Sequence, residues 1–518
     1  MQVWIFNPFD DIPNEGKPQR FCTLADTLLA QGHSVVWWSS DFSHRRKAWR
    51  EAPSESEGVG VPPLGGHPDG LASPLSNARS SKSLVWNHSA TQPLNFSLRL
   101  ISTPPYTKNI SFARIRNHHA YGRNLYRDAC AAIDSGELLK PDLILASLPP
   151  MEGPIAALRL RKRYGCRVVT DIMDAWPETL LHALPRCERS KGDGSDALQP
   201  SSVSLRCEQS ESVGVPPLGG HSEGSDALQP SSVSLRCVQS KSVGVPPLGG
   251  HSDGSDALQP SVDTSGWLKS LGRLLLFPYY RMLRRACRES DAISAQSQTF
   301  ADFARQHGAR GEIHVCYLGA NAPTSPPFHL PTFPLKRSCR LLYLGSMGRS
   351  YDLATLLTAT LNLLRQGLEL ELHIAGGGQQ LEALKGMAAD APAGAIHFHG
   401  FLQEPELSEL LRSSDVGVVP MFPESGVAVP YKVGDYLSAG LAVVNSLPGE
   451  LDELLQESNC GRFYEAKSVT SLEGALKHYL EKGSIDLLED KKNARALFER
   501  HFDRSKTYPN FAKWIAAQ

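Results

Sequence analysis

The residues most able to do chemistry lie in the segment 416–447. An apolar run predicts a buried strand, a small-residue loop containing Ser425 and Gly426 follows, and a predicted helix then carries Lys432 and Asp435 ahead of a second apolar run. Such a strand–loop–helix–strand unit directs backbone amides, a cation and one acid to the carboxyl ends of parallel strands, where α/β sheets bind nucleotides. We therefore expect a nucleotide diphosphate to bind here, with Asp435 accepting hydrogen bonds from the ribose diol.

Two further glycine clusters follow predicted strands earlier in the same region. Gly345 and Ser346 precede a helix, so that Arg349 is within reach of the same phosphates, and Gly376 and Gly377 come after the next strand, where the base or ribose would lie. Glycines after strands are also ordinary turn residues. Three such loops in order within one α/β unit nevertheless favour a nucleotide site.

The elements that must position these loops form two α/β units. We predict an N-terminal Rossmann-like domain at 1–321, a proline-rich linker at 322–338, a C-terminal donor-binding domain at 339–486, and C-terminal helices at 487–518 that cross back to the first domain. The predicted fold class is thus α/β, with two Rossmann-like domains facing a cleft.

An internal repeat interrupts the first of these domains. The heptapeptide GSDALQP begins at Gly194, Gly224 and Gly254, and each unit is rich in Gly, Pro and Ser but short of aliphatic residues. Such units cannot bury a repeating core. We predict two insertions in surface loops, at about 52–82 and 187–264, that are disordered and have no part in catalysis.

Composition excludes several classes of function. A formal net charge of −1 gives no general attraction to nucleic acid, and no apolar run is long enough to span a membrane. The scattered cysteines and the absence of a secretory signal at the first residues predict a cytoplasmic protein.

The segment 267–288 combines aromatic, aliphatic and basic residues, so it suits contact with the inner face of the cytoplasmic membrane. A core-packing helix with a solvated basic face is the alternative.

The 416–447 unit resembles the donor-binding motif of family 4 retaining glycosyltransferases. The pattern Pro430-x-Lys432-x-x-Asp435-Tyr436, together with Tyr351-Asp352, is similar to the branch of amino-sugar and deoxysugar transferases of bacterial surface polysaccharide synthesis. The resemblance implies a glycosyltransferase-B fold and metal-independent transfer from a UDP- or GDP-sugar to a glycan or polyprenyl-linked acceptor. It implies no cofactor besides that donor.

The chain departs from the family pattern at the first acid of the motif. The family has a glutamate eight residues before the position of Asp435, whereas this chain has Val427, and Glu424 is the candidate to replace it. The family's arginine after the first strand of the donor domain is also missing, and Arg349 is the nearest cation. These differences concern the phosphate contacts and leave the predicted fold unchanged.

On the acceptor side, the loop after the first strand contains Glu15 and Gly16, and a glycine there permits close backbone approach to the donor phosphate or the acceptor. Asp174 follows another strand and is our candidate for positioning an acceptor hydroxyl, while Asp171 has the features of a structural acid. A capping or turn role is the alternative for each acid. We find neither an Asp-x-Asp motif nor a metal-binding cluster of histidines and acids in the spacing.

Two other functions remain open at this point. A sugar-nucleotide epimerase has the same two-domain architecture, and a non-catalytic transferase-like scaffold would account for the missing first acid and the insertions. A nicotinamide oxidoreductase is disfavoured, because no G-x-G-x-x-G follows the first strand.

Overall fold

The computed structural model describes residues 1–13, 15, 19–50, 82–84, 95–179, 272–322, 338–482 and 484–518. Three features predicted from the sequence therefore lie outside the described residues. They are Gly16, nearly all of both predicted insertions, and most of the predicted linker. Two mainly parallel sheets organise the rest, each with helices on its faces. This confirms the predicted α/β class with two Rossmann-like halves.

The N-terminal half contains the larger sheet. Its strands are β1 (Gln2–Phe6), β2 (Ser34–Ser40), β5 (Lys82–Leu84), β6 (Phe96–Ile101), β7 (Leu143–Leu148), β8 (Arg167–Ile172), β9 (Ala292–Ala295) and β10 (Ile313–Val315), and a separate small hairpin pairs β3 (Phe42–Ser43) with β4 (Ala48–Trp49). Its helices are α1 (Arg20–Ala30), α2 (Phe112–Asp134), α3 (Glu152–Tyr164), α4 (Phe277–Glu289) and α5 (Gln298–Gln306).

The described strands of this sheet follow the order β10-β9-β8-β7-β1-β2-β6-β5, and only the β5–β6 pair is antiparallel. Strand β1 lies between β7 and β2, so that Trp4 pairs with both Ile144 and Val36. Because helices cover both faces, these central strands are continuous apolar runs, as the sequence predicted.

The C-terminal half contains a six-stranded parallel sheet in the order β13-β12-β11-β14-β15-β16. Its strands are β11 (Cys339–Leu344), β12 (Leu370–Ala375), β13 (Ile396–Gly400), β14 (Val416–Val419), β15 (Ala442–Asn445) and β16 (Gly461–Phe463). Its helices are α6 (Leu353–Arg365), α7 (Leu381–Met387), α8 (Glu406–Ser413), α9 (Tyr431–Ser438), α10 (Glu450–Glu457) and α11 (Val469–Glu481).

The last helices of the chain connect the halves. Helix α12 (Ser484–Leu497) and a π-helical turn (Phe498–Phe502) lie against the C-terminal half, and α13 (Arg504–Ala517) packs on α1. Tyr508, Phe511 and Ile515 of α13 are fully buried in the N-terminal core. The predicted domain boundaries at 321, 338 and 486 stay predictions.

Helix α4 differs from what its sequence suggests. A proline inside the basic segment predicts a kinked helix, but Pro278 lies in the first turn of α4, after a short helical stretch at 272–275. In the first turn the missing N–H removes no hydrogen bond, so proline begins the helix rather than bending it. None of the described helices is both long and apolar enough to cross a bilayer.

Candidate functional site

The candidate site of the C-terminal half lies where its strand order reverses. Strand β11 is flanked by β12 on one side and β14 on the other, so the helices that follow these strands leave in opposite directions and open a crevice at the carboxyl ends. Gly345 and Ser346 follow β11, and the loop 420–430 follows β14. The sequence-predicted donor residues therefore converge on this crevice.

Lys432, in the first turn of α9, is the most unusual side chain of this crevice. Its Nζ lies 4.0 Å from the centre of the Tyr343 ring and 4.2 Å from that of Tyr351. The side chain is buried, and Nζ has no hydrogen-bond partner among the described residues. Burial lowers the pKa of the Lys432 ammonium well below its usual range. A buried amine without a hydrogen-bond partner is a candidate site for an anion, which would favour its charged form.

Gly345 leaves this lysine open to a ligand. Its φ of +128° is in the region that favours glycine, and a Cβ at this position would lie 3.2 Å from Lys432 Nζ. Ser346 and Arg349 are exposed, and Arg349 has no ion-pair partner in the described part of the chain. The structure thus places the backbone of Gly345 beside Lys432 and leaves Arg349 at the rim.

Gly376 and Gly377 have a packing role that the sequence did not reveal. A Cβ at Gly376 would lie 1.9 Å from the Gly345 carbonyl oxygen, and one at Gly377 would lie 3.0 Å from the Phe401 ring. The Gly377 carbonyl also accepts a hydrogen bond of 2.8 Å from the Met347 N–H. These glycines bring two loops into direct contact, whatever else they bind.

Helix α9 is fixed at the end of β11 by Tyr436. Its hydroxyl accepts a hydrogen bond of 2.8 Å from the Leu344 N–H and donates one of 3.3 Å to the Val418 carbonyl. Gly417 lies beneath the ring, because a Cβ there would be only 2.4 Å from it. This packing directs the first-turn amides of α9, which begins after Pro430, toward the crevice.

Asp435 is partly buried and lies one turn beyond Tyr431 on α9. The intervening Gly434 packs on the segment Gly319–Ala320, where a Cβ would lie 3.0 Å from the Gly319 carbonyl carbon. This segment comes from the N-terminal half, so α9 contacts that half directly.

The loop 423–429 reaches across to the N-terminal half. Its 3₁₀ turn, Pro423–Ser425, leaves Glu424 exposed, and Gly426 adopts a φ of +71°. A Cβ at Gly426 would lie 3.0 Å from Thr179 Cγ2, and Ala428 packs on the cluster that contains Trp176. Ser425 and Gly426 thus close one side of the cleft rather than lining only the donor crevice.

Asp174 lies on the opposite wall, two residues before Trp176. Burial raises its carboxyl pKa to about 6, although the nearby Arg114 guanidinium opposes the shift. Arg114 lies 5.4 Å from the Trp176 ring and donates a hydrogen bond of 3.3 Å to His118 Nε2. A basic carboxylate beside an ordered arginine can accept a hydrogen bond from a substrate hydroxyl.

Residues 338–482 match the family model described as glycosyl transferases group 1, and no curated protein sequence matches the chain. Among solved structures, the chain is similar to sucrose-phosphate synthase from Thermosynechococcus elongatus (11% identity, 100% of both chains covered, TM-score 0.57). It is also similar to Anabaena HepE in complex with UDP (11%, 100% of both chains, 0.53). A third is the lipopolysaccharide outer core galactosyltransferase WaaB (11%, 100% of this chain and 99% of that chain, 0.52).

The fold is of the glycosyltransferase-B type.

In this glycosyltransferase-B fold, two acids of the N-terminal half, Asp171 and Asp174, have different environments. Asp171 is fully buried. Its carboxylate accepts two hydrogen bonds of 2.8 Å from Arg20 and one of 2.6 Å from the Ser294 hydroxyl. Asp171 is thus a structural acid, whereas Asp174 forms no ion pair with any residue that the structure describes.

Glu450 joins the two halves at a second point of the fold. Its carboxylate accepts hydrogen bonds from the N–H groups of Gln298 (2.6 Å) and Thr299 (2.8 Å), in the first turn of α5, and from the Tyr317 hydroxyl (2.6 Å). A carboxylate at a helix N-terminus is favoured by the helix dipole. Glu450 therefore links the start of α5 in the N-terminal half to the C-terminal half.

Sequence reasoning missed several of these residues. Arg114 and His118 are four residues apart on α2, a spacing that places both on one face, so this pair could have been found. The tyrosines around Lys432 could not, because their contact depends on how loops distant in sequence pack. The sequence did not indicate the role of Glu450, since its hydrogen-bond partners lie more than 130 residues away in the chain.

Proposed function

We propose that the protein is a retaining glycosyltransferase that moves a sugar from a nucleotide-sugar donor to a glycan or lipid-linked acceptor, in cell-surface polysaccharide synthesis. The observation that carries the proposal is the buried Lys432 amine, which has no hydrogen-bond partner in the described part of the chain, at the strand-order reversal of a glycosyltransferase-B fold. The family match over residues 338–482 and the likeness to a structure solved with UDP support a nucleotide-sugar donor.

In this proposal the donor diphosphate binds between Gly345 and the start of α9. Lys432 and the first-turn amides of α9 supply positive charge to the phosphate oxygens, and the charge that develops on the leaving diphosphate is stabilised there. The negative charge of the diphosphate would favour the charged form of the buried amine, so that no divalent ion is needed in this role. Asp435, one turn further along, would accept hydrogen bonds from the ribose diol.

The acceptor would enter from the side of Asp174. Its raised pKa makes the carboxylate a better proton acceptor than an ordinary aspartate, which suits activation of an acceptor hydroxyl. Glu424, on the loop that crosses the cleft, is the proposed replacement for the family's first motif acid and would contact hydroxyls of the donor sugar. Ser346 and Arg349 would reach the phosphates from the rim.

A direct test measures donor binding by isothermal titration of UDP, GDP and their sugars in metal-free buffer. We expect selective binding of one nucleotide, and loss of that binding in Asp435→Ala with an unchanged circular dichroism spectrum. Asp486→Ala, an exposed acid on α12, is the matched control. Unchanged affinity in Asp435→Ala would remove the ribose role, and no binding of any nucleotide by the wild type would favour the scaffold hypothesis.

The surface of α4 supports contact with an anionic membrane. One face of the helix is buried through Tyr279 and Leu283, as the core-packing alternative requires. The start of the segment nevertheless leaves Leu274, Leu275 and Phe277 at 70%, 72% and 52% exposure. A surface pocket of about 670 Å³ beside them is lined by four arginines, at positions 281, 284, 285 and 288. Apolar side chains next to arginines suit the interface of anionic lipids.

Vesicle sedimentation distinguishes the two interpretations of α4. We expect the protein to sediment with phosphatidylglycerol vesicles and not with phosphatidylcholine vesicles, and we expect a Leu274→Ser, Leu275→Ser variant to remain in the supernatant. Lys385→Ser, on the exposed face of α7, is the control for an unrelated surface change. Equal sedimentation of wild type and double variant would leave only the core-packing interpretation.

A further inference from the structure

A group of histidines and one glutamate lies on the edge of the C-terminal sheet. Glu371 and His373 are two residues apart on β12 and therefore share a face, and His373 pairs directly with His397 on the neighbouring strand β13. The potential ligand atoms of these three side chains all lie within 4.8 Å of one another. His399 follows on the same face of β13.

The hydrogen bond of His397 leaves a lone pair available for a ligand. Its Nε2 lies 2.8 Å from the Gly394 carbonyl oxygen, which can only accept, so Nε2 carries the hydrogen. The other ring nitrogen, Nδ1, therefore carries a lone pair. A backbone carbonyl that fixes the tautomer in this way is the usual partner of a metal-binding histidine.

His373 is positioned by two neighbours at once. Its Nε2 lies 3.2 Å from Glu371 Oε2, and its Nδ1 lies 3.0 Å from His399 Nε2. Without a metal, the Nε2 hydrogen is donated to the carboxylate. Nδ1 then accepts from His399 Nε2. A divalent ion at Nε2 would shift the hydrogen of His373 to Nδ1, with no net release of a proton, and His373 would then donate to His399 Nε2, whose own hydrogen shifts to its Nδ1.

The carboxylate is held in place from the opposite side. Arg340 Nε donates a hydrogen bond of 3.0 Å to Glu371 Oε2, and the Ser338 hydroxyl donates to Oε1. The side chains around the carboxylate are thus ordered before any ion arrives. Partners of this kind orient ligands and tune metal affinity.

We propose that Glu371, His373 and His397 form a binding site for a divalent transition-metal ion, with His399 as the hydrogen-bond partner of His373. Two imidazoles and one carboxylate are a ligand set of zinc, with water in the fourth position. In a tetrahedral site, ligand atoms about 2.0–2.2 Å from zinc lie about 3.3–3.6 Å apart. The present atoms lie within 4.8 Å of one another, so binding requires rotation of the side chains, including a tilt of the stacked His373 and His397 rings.

The site is separate from the proposed donor crevice but is joined to it through the backbone. The Gly376 N–H, in the loop after β12, donates a hydrogen bond of 2.6 Å to the Gly400 carbonyl at the end of β13. An ion bound to both strands would hold the edge strand β13 to β12 beneath this loop. The inferred role is therefore stabilisation of the donor half by a metal, not catalysis.

The test measures zinc binding by the full-length protein after treatment with EDTA. Competition with a fluorescent chelator is expected to show a zinc site in the wild type that is absent from the triple variant Glu371→Gln, His373→Gln, His397→Gln. His399→Asn should weaken this site by about ten- to a hundredfold, as removal of a histidine's hydrogen-bond partner typically does. His478→Gln, which changes a half-buried histidine on α11, is the matched control and should bind as the wild type does.

Two further measurements keep the result independent of folding. Cobalt substitution should give the visible absorption of a tetrahedral ion in the wild type but not in the triple variant. Binding of the donor nucleotide by the triple variant would show that the crevice is still folded. Equal zinc uptake by the wild type and a folded triple variant, or no uptake by the wild type, would overturn the proposal and leave the histidines as a packed stack.

Discussion

Replacing Lys432 by methionine should stabilise the empty protein and weaken donor binding at the same time. The two side chains have similar length and volume, so the change removes the amine and little packing. Burying a polar group without a hydrogen bond costs about 1–3 kcal/mol in protein mutational data. The contacts of Nζ with Tyr343 and Tyr351, at 4.0 and 4.2 Å, offset part of this cost, each by about 0.5–2 kcal/mol while the group is charged.

The direction of the pKa shift decides between these opposing effects. Burial lowers the pKa of the Lys432 ammonium well below its usual range, which means that the site disfavours the charged form even with both rings present. Removing the amine should therefore stabilise the unliganded protein, by about 1 kcal/mol. A charge-assisted hydrogen bond contributes about 1.5–3 kcal/mol, so the affinity for the nucleotide diphosphate should fall about ten- to a hundredfold.

Thermal unfolding with and without the nucleotide measures both effects in one experiment. The Lys432→Met variant is expected to melt above the wild type without ligand and to show a much smaller shift on addition of UDP or GDP. Lys385→Met, which changes an exposed lysine paired with Glu382, should alter neither quantity. If Lys432→Met melts lower than the wild type and keeps the full ligand shift, Lys432 is a structural residue and the proposed diphosphate site is wrong.

Three further predictions concern other parts of the cleft. Burial raises the Asp174 pKa from 3.8 to about 6, so the folded state binds the extra proton and stability falls as pH rises from 4 to 6. In denaturant titrations at several pH values, Asp174→Asn should lack this decrease in the free energy of unfolding, which amounts to at most about 3 kcal/mol. An unchanged pH dependence of the unfolding free energy would contradict the prediction. Glu450→Ala should accelerate hydrogen exchange at the Gln298 and Thr299 amides, because they lose their acceptor, and unaltered exchange would show that Glu450 does not hold the halves together. Gly376→Ala should lower the melting temperature strongly through its clash with the Gly345 carbonyl, whereas Gly386→Ala, with open space around it, should not.

The elements of the donor half were predictable because each is specified locally. Apolar runs gave β14 and β15, and Pro430 placed the start of the intervening helix within a residue of where it begins. Lys432 could be predicted to face an anion because it lies in the first turn of that helix. Its burial between Tyr343 and Tyr351 could not, since those rings come from a distant segment and meet the amine only after the sheet has formed.

Interpretation of the glycines was less complete. Gly376 and Gly377 follow a strand, and the sequence alone does not tell whether a ligand or another loop requires the absence of a side chain. In the structure the neighbouring loop requires the absence of a side chain.

The histidine group on β12 and β13 was missed for a related reason. Its alternating spacing, Glu371-x-His373 and His397-x-His399, was visible in the sequence, but only the register between the two strands brings the pairs together.

The return of α13 to the N-terminal half has a consequence for the order in which the protein can fold during synthesis. Tyr508, Phe511 and Ile515 complete the core beside α1, so the half that leaves the ribosome first is the half that must wait for the end of the chain. The C-terminal sheet has all its strands by Phe463, and its core is completed by Phe498 and Phe502, before α13 is made. Domains made first usually fold first. Here the N-terminal core lacks part of its packing until α13 has been made, so we expect removal of α13 to destabilise the half that is synthesised first.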